Sequence, residues 1–136
     1  MLLSCRLLDN VSSVNNWNYA EKVEFTEGDT VRLYIQLIDK SLDKPLGQWK
    51  PAGRRYVPAA GATLQVTLHN IDDDKVITDR VATQPYSGDL SIWYVDIVST
   101  DAVKGTVSIS LKLTETAKVT RGRLDNCISV YSQENI

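Results

Sequence analysis

The chain has 136 residues, 43% of them hydrophobic, which suits one domain with a real core and argues against wholesale disorder. Its 15 basic and 17 acidic residues leave a net charge of -2, so the chain as a whole has no pull toward nucleic acid or an anionic membrane. No apolar run approaches the roughly 20 residues of a transmembrane helix, and the opening MLLSCRLLDN is interrupted by Arg6 and Asp9 too soon to read as a secretory signal.

In chain order, LLSCRLL reads as a first strand. The segment Asp9 to Lys22, DNVSSVNNWNYAEK, is polar and rich in Asn and Ser, yet carries Trp17 and Tyr19. KVEFT follows as a short strand, and Gly28-Asp29 reads as a hairpin turn into the next run. In that run, TVRLYIQLI, Val31, Leu33, Ile35 and Leu37 fall on one face, with Arg32, Tyr34 and Gln36 on the other. The stretch Lys40 to Ala62 contains Pro45, Pro51, Pro58 and Trp49, with a short strand-like RRYVP inside it.

Alternation then resumes. Leu64, Val66 and Leu68 oppose Gln65, Thr67 and His69, and Asp72-Asp73-Asp74 reads as a polar hairpin tip leading into KVITDRVA. Pro85, Ser87, Gly88 and Asp89 break the chain before SIWYVDIV, where Trp93, Val95 and Ile97 alternate with Tyr94 and Asp96. Asp101 to Gly105 links this run to TVSISLKLTE, with Val107, Ile109, Leu111 and Leu113 on one face. In LDNCISVYS, Ile128 and Val130 alternate with Cys127, Ser129 and Tyr131. No segment has the period, length and caps of a helix. The pattern predicts one domain over residues 1–136, an all-β antiparallel sandwich of about seven to nine strands. Leu33, Ile35, Leu64, Val66, Val95, Ile109, Leu111 and Ile128 are its expected core.

Residues that could carry chemistry are sparse. His69 is the only histidine, sits on the polar face of a strand, and reads as a solvated side chain. Three consecutive acids without a spaced second set do not make a calcium loop. Cys5 and Cys127 are too far apart in sequence to make a metal cluster with one histidine, and read as buried thiols; a bridge needs the terminal strands to be neighbours. Asn10-Val11-Ser12 fits a glycosylation sequon but lacks a secretory signal to give it meaning. Arg54-Arg55 and Arg121-Gly-Arg123 are the concentrated basic sites, and pairing with an acidic neighbour chain is the reading preferred over nucleic acid. There is no phosphate-cradling loop or nucleophile elbow.

The runs EFTEGDTVRLYIQLID, GRRYVPAAGATLQVTLHN and SIWYVDIVSTDAVKGTVSISLKL resemble a small β-sandwich class found among tailed-bacteriophage virion proteins. They are similar to the immunoglobulin-like domains of baseplate and tail-fibre attachment proteins. The residues that carry the likeness are Glu27, Gly28, Asp29, Asp39, Gly61, Ala62 and Thr63, within roughly Val23 to Leu113. The chain departs from those proteins in having no fibre or receptor-binding part after the one domain. The resemblance implies a non-enzymatic virion protein, made in the host cytoplasm and present in multiple copies as a small tail or baseplate connector or brace. Capsid decoration or a head-tail junction is the alternative place, and a carbohydrate- or peptide-binding module using Tyr34, Tyr94 or Trp93 the alternative role. No catalytic residue, cofactor, metal, nucleic acid, membrane or small-molecule substrate is expected.

Long connections that spend aromatic residues tend to be functional. Residues 9–22 are therefore expected to act as a docking arm and 40–60 as a docking loop. Trp17, Tyr19, Trp49, Arg54, Arg55 and Tyr56 are expected to touch neighbouring virion subunits, because aromatic and Arg side chains are the usual energetic anchors of interfaces.

Overall fold

The computed structural model describes residues 1–13, 16–20, 22–42, 54–83, 90–98, 100 and 103–132. The protein is all-β. Among the described residues the strands are β1 (Leu3–Ser13), β2 (Asn16–Ala20), β3 (Val23–Thr26), β4 (Val31–Asp39), β5 (Arg54–Arg55), β6 (Thr63–Asn70), β7 (Lys75–Val81), β8 (Ile92–Ile97), β9 (Gly105–Glu115) and β10 (Lys118–Tyr131), with a 3-10 turn at Lys40–Leu42.

All ten strands are hydrogen-bonded into one sheet, in the order β5-β4-β1-β10-β9-β6-β7, with β8 on β4, β2 on β1 and β3 on β10. The sheet curls nearly into a barrel. Beyond β7 the chain turns the corner: Ala82 N–H still donates to Leu64 O of β6 (2.8 Å), while Thr83 exchanges two bonds with Tyr94 of β8 (2.9 and 2.7 Å). Those bonds bring the β7 end of the sheet back to the β8 end. The separate stacked sheets expected from the alternation are replaced by one sheet whose opposite walls face each other across the core.

Two pairings are parallel rather than antiparallel. β1 meets β10 at Leu3 opposite Gly122, and β3 runs alongside the end of β10 from Val23 opposite Ile128 to Thr26 opposite Tyr131. The Gly28 turn is present, closed by Asp29 N–H to Thr26 O (3.0 Å) and Thr26 N–H to Asp29 Oδ2 (2.9 Å). It is a corner and not the expected hairpin, because β3 pairs with β10 while β4 pairs with β1 and β8. The expected arm is also sheet. Residues up to Ser13 continue β1, and β2 pairs back along it, with Tyr19 opposite Leu8 and Trp17 opposite Val11.

The core follows the period of two. Leu3, Cys5 and Leu7; Leu33, Ile35 and Leu37; Leu64, Val66 and Leu68; Trp93, Val95 and Ile97; and Val107, Ile109, Leu111 and Leu113 all point into one cluster. All eight expected core residues are in it. Fully burying each such side chain stabilises the fold by about 1.5–3 kcal/mol. Cys127 is buried, as expected of its thiol, although strict alternation would set it on the face opposite Ile128. The β9–β10 register shifts between Leu124 and Ile128, with Asn126 at φ 53°, and this bulge turns Cys127 inward beside Ile128. Gln36 departs from the expected face. The outer face of the β1–β4–β8 wall is itself buried at Leu8, Gln36, Ile38 and Ile92, and Gln36 Nε2 donates to Ser91 Oγ at 3.1 Å.

Candidate functional site

The residues expected to bind neighbours do not converge on one patch. Trp17 and Tyr19 lie on β2, which pairs with the far half of β1. Arg54 and Arg55 form β5, opposite Asp39 and Ile38. Asp39 in turn pairs with Leu3, so β5 lies at the other end of the same β1–β4 ladder. From Leu3 to Val11 along β1 is roughly 27 Å at about 3.4 Å per residue. Arg55 is exposed. Trp49 lies outside the described residues.

Tyr56 is committed to its own chain. It is half-buried against the core cluster, and its N–H donates to Leu37 O at 2.8 Å. Its hydroxyl sits 2.8 Å from both oxygens of the Glu115 carboxylate, which also accepts from Ala59 N–H at 3.0 Å. Burial, the Glu115 hydrogen bond and the charges of Glu115 and Asp39 push the phenol up to about 12. One buried carboxylate on β9 thus fixes residues 56–59. Asp39 performs a similar service at the N-terminus. It accepts from Leu2 N–H (3.1 Å), Ser41 N–H (3.0 Å) and Ser41 Oγ (2.6 Å). Burial alone pushes its carboxyl up, but these bonds and the terminal ammonium outweigh it, and the group lies below the usual carboxylate value.

The exposed face with the most chemical variety is the strip where β4 and β8 pair. Register places Arg32 opposite Asp96 and Tyr34 opposite Tyr94, all outward. Arg32 Nε lies 2.8 Å from Asp96 Oδ1, and the guanidinium carbon is 4.1 Å from the centre of the Tyr94 ring. The two tyrosine rings meet edge to face, 5.9 Å apart. The hydrogen bond to Asp96 leads the forces that raise the Arg32 value. Trp93 points the other way and is a core residue, as opposite faces on one strand require. The strip can present a flat aromatic edge beside a held cation, which suits recognition of a polar ring or a carbonyl-bearing group. Spacing alone could not pair Arg32 with Asp96, because strand partnership is a property of the fold.

The remaining candidates have local roles. His69 Nε2 is 3.1 Å from Asp74 Oδ1 within the β6–β7 hairpin. Asp72 Oδ2 accepts from Thr106 N–H (3.1 Å), tying that hairpin to the start of β9. Arg121 and Arg123 are exposed, and Arg123 pairs with Asp125 on its own strand at 3.5 Å. Cys5 and Cys127 are free and buried on strands that do adjoin, β1 and β10. Burial pushes both thiols up, Cys127 to about 11. Among the described residues no group of three or more His, Cys, Asp or Glu could hold a metal ion, and no helix is long and apolar enough to cross a membrane.

Compared with models of known protein families and with curated proteins, the chain matches none.

Proposed function

We propose that the protein is a non-enzymatic structural subunit of a tailed-bacteriophage virion, a small connector or brace in the tail or baseplate that binds neighbouring subunits. The curled sheet is, in this reading, a closed relative of the immunoglobulin-like sandwich that the sequence resembles. The observation that carries the connector role is the split placement of the anchors. The β2 pair of aromatics and the β5 pair of arginines sit at opposite ends of one β1–β4 ladder. A subunit that grips at both ends of a stiff ladder bridges two neighbours, whereas a single-ended binder would group its anchors. Tyr56 has a different part in this reading: it braces the loop end through Glu115. Capsid decoration would use the same two ends.

The test is assembly with each end altered separately. Trp17→Ala with Tyr19→Ala, and separately Arg54→Ala with Arg55→Ala, are each expected to keep the fold and to lose contact with a different neighbour in cross-linked particles. Normal particles with both ends altered would remove the connector reading. A second reading, a carbohydrate- or peptide-binding module, is favoured specifically by the Arg32, Tyr34 and Tyr94 strip. Saturable glycan binding by the isolated chain, with no association with tail or capsid proteins, would establish it instead.

A further inference from the structure

Where β1 and β10 meet, the seam does not close flush. The register pairs Leu3 with Gly122 and no other residues of the two strands, and Ser4 Oγ adds a hydrogen bond to Arg123 O at 3.0 Å. A hollow of about 520 Å³ opens there, between Leu2, Leu3 and Lys40 on one side and Arg121, Arg123 and Leu124 on the other. Ligand sites run from about 300 to 1,000 Å³, so the hollow is large enough to seat a side chain and more. A second hollow of about 350 Å³ lies on the other flank of β10, lined by Gln65, Ser110 and Lys112 and by the same two arginines. Arg121 and Arg123 thus form a ridge that both hollows share.

The charges on this ridge work against the sheet. Register sets Arg121 directly opposite Lys112, and places Arg123, opposite Ser110, one diagonal step from the same lysine. Like charges directly opposite on neighbouring strands are destabilising. Lys40 adds a fourth cation across the first hollow. No ion pair or side-chain hydrogen bond among the described residues involves Lys40, Lys112 or Arg121. The two acids that line the hollows do not relieve them. Asp125 is already paired with Arg123 at 3.5 Å, and Asp79 accepts from Thr67 Oγ1 at 3.1 Å, three strands away from Arg123 by register. In a chain with 17 acidic and 15 basic residues, four cations gathered around one engaged acid point to an anion from outside. We infer that this ridge binds an extended acidic peptide segment of a partner protein, with carboxylates set against Arg121, Lys112 and Lys40 and an intervening apolar side chain over Leu2 and Leu124. Leu2 is 60% exposed and supplies the apolar floor. A peptide fits better than a nucleic acid. Asp125 and Asp79 would repel a continuous phosphate track, and no aromatic residue among those described lines either hollow to stack a base. The first hollow lies at the Leu3–Asp39 end of the β1–β4 ladder. The inference rests on this surface itself and stands whether or not the chain is a virion subunit.

The test is fluorescence anisotropy with the whole chain and a labelled hexapeptide that alternates Glu and Val. Saturable binding is expected, with Kd on the order of 0.1 mM at low salt, weakening at least about tenfold at high salt. The same peptide with Gln for Glu is expected to bind at least about tenfold more weakly. Lys112→Gln with Arg121→Gln is expected to weaken binding by at least about tenfold while leaving the urea midpoint unchanged or higher, because the opposed charges are gone. Lys75→Gln with Lys104→Gln removes the same charge from exposed positions at the far end of the β6–β9 ladder and is expected to bind as the parent does. Absence of saturation overturns the proposal, as does equal binding of the Gln peptide or binding indifferent to salt. Undiminished binding in the Lys112 and Arg121 variant, or an equal loss in the Lys75 and Lys104 variant, overturns the location. Tighter binding of an oligothymidylate of equal charge overturns the peptide in favour of a phosphate backbone. A lowered urea midpoint in the Lys112 and Arg121 variant overturns the proposal too, since the pair would then serve the fold.

Discussion

Strand β10 has two edges that are built differently. On one it pairs with β9 across a tight turn and over nearly its whole length, and β9 continues the same regular ladder to β6. On the other it takes two partners in succession, β1 at Gly122 and β3 from Ile128, both parallel and both from the far end of the chain. The first edge is local, long and antiparallel. The second is a seam, closed by chain segments more than a hundred residues away and admitting β1 only where the side chain is absent. A Cβ on Gly122 would lie 2.1 Å from the Leu3 carbonyl oxygen. Local pairing of this kind sets a sheet up early, while non-local pairing must first bring distant segments together. The comparison therefore predicts that the ladder carries stability and the seam sets where the barrel opens.

The largest effect tests the ladder. Ile109→Asp or Leu64→Asp places an unpaired charge at a site with no exposure, in the middle of β9 or near the start of β6. Loss of more than about 4 kcal/mol is expected, enough to unfold the domain. Circular dichroism and urea titration measure it, and a wild-type midpoint would refute the face assignment. A smaller loss tests the seam. Gly122→Ala forces β1 off β10 or bends both, at a cost of about 1–3 kcal/mol. Amide exchange should speed up first in β1 and the facing part of β10, with the β6–β9 ladder still protected. Uniform acceleration across the sheet would mean that seam and ladder open as one unit.

The segment held by Glu115 sharpens the contrast, because Glu115 ties residues 56–59 to the end of the strong ladder. Tyr56→Phe removes a hydrogen bond to a carboxylate and should cost about 1.5–3 kcal/mol. Its pH dependence has a definite sign. The phenol is raised to about 12 in the fold from an ordinary 10.0. Its contribution is therefore complete below pH 10 and is lost as pH rises through 12. The Cys127 thiol, raised to about 11 from 9.0 by burial, acts in the same direction from pH 9 upward. Urea midpoints should fall on the alkaline side, and Tyr56→Phe should flatten the upper part of that decline while keeping the part that begins near pH 9. An unchanged alkaline limb in the variant would show that the phenol does not titrate as its surroundings demand.

The two edges also differ in how far the sequence discloses them. The core-facing sides of β4, β6, β8 and β9 are legible because their apolar residues recur at every second position, and every expected core residue is buried. The first half of β10, Lys118 to Arg123, is not legible. The β9–β10 turn at Thr116-Ala117 contains no Gly, Asn, Asp or Pro to mark it, although Thr116 adopts φ 33°. The seam is hidden for another reason. Parallel pairing of distant segments leaves no signal in a local window, so β3 reads as the hairpin partner of β4 when it belongs to β10. Gln36 reads as a polar-face residue and is buried by cover on the outer side of its wall, whereas Cys127, expected as a buried thiol, is buried and reaches the core beside Ile128 through a bulge. The β4–β8 strip was half legible. Tyr34 and Tyr94 stand at outward positions in sequence, but their contact with each other and with Arg32 comes from register alone.

That strip supplies the smallest expected effect on stability and the sharpest separation of stability from binding. Arg32 and Asp96 are each about half exposed, at 49% and 50%. Exposed ion pairs contribute roughly 0–1 kcal/mol, and an exposed cation over an aromatic ring about 0.5–1 kcal/mol. Arg32→Ala should therefore lower stability by less than Gly122→Ala does, with part of even that loss recovered at high salt. A double cycle with Tyr94→Leu should return only a weak coupling, smaller than the whole loss in Gly122→Ala. The loss could instead rival that of the seam variant. The strip would then be a structural clamp joining β4 to β8, and its aromatic edge would have no separate role to explain. If the loss is small, the side chains on this outer face are free of the fold's demands. Any glycan or peptide binding that disappears in Arg32→Ala or Tyr94→Leu, with the melting curve nearly unchanged, then belongs to the strip itself. Binding that survives both variants excludes the strip as the binding surface and leaves the two ends of the β1–β4 ladder to make the protein's contacts.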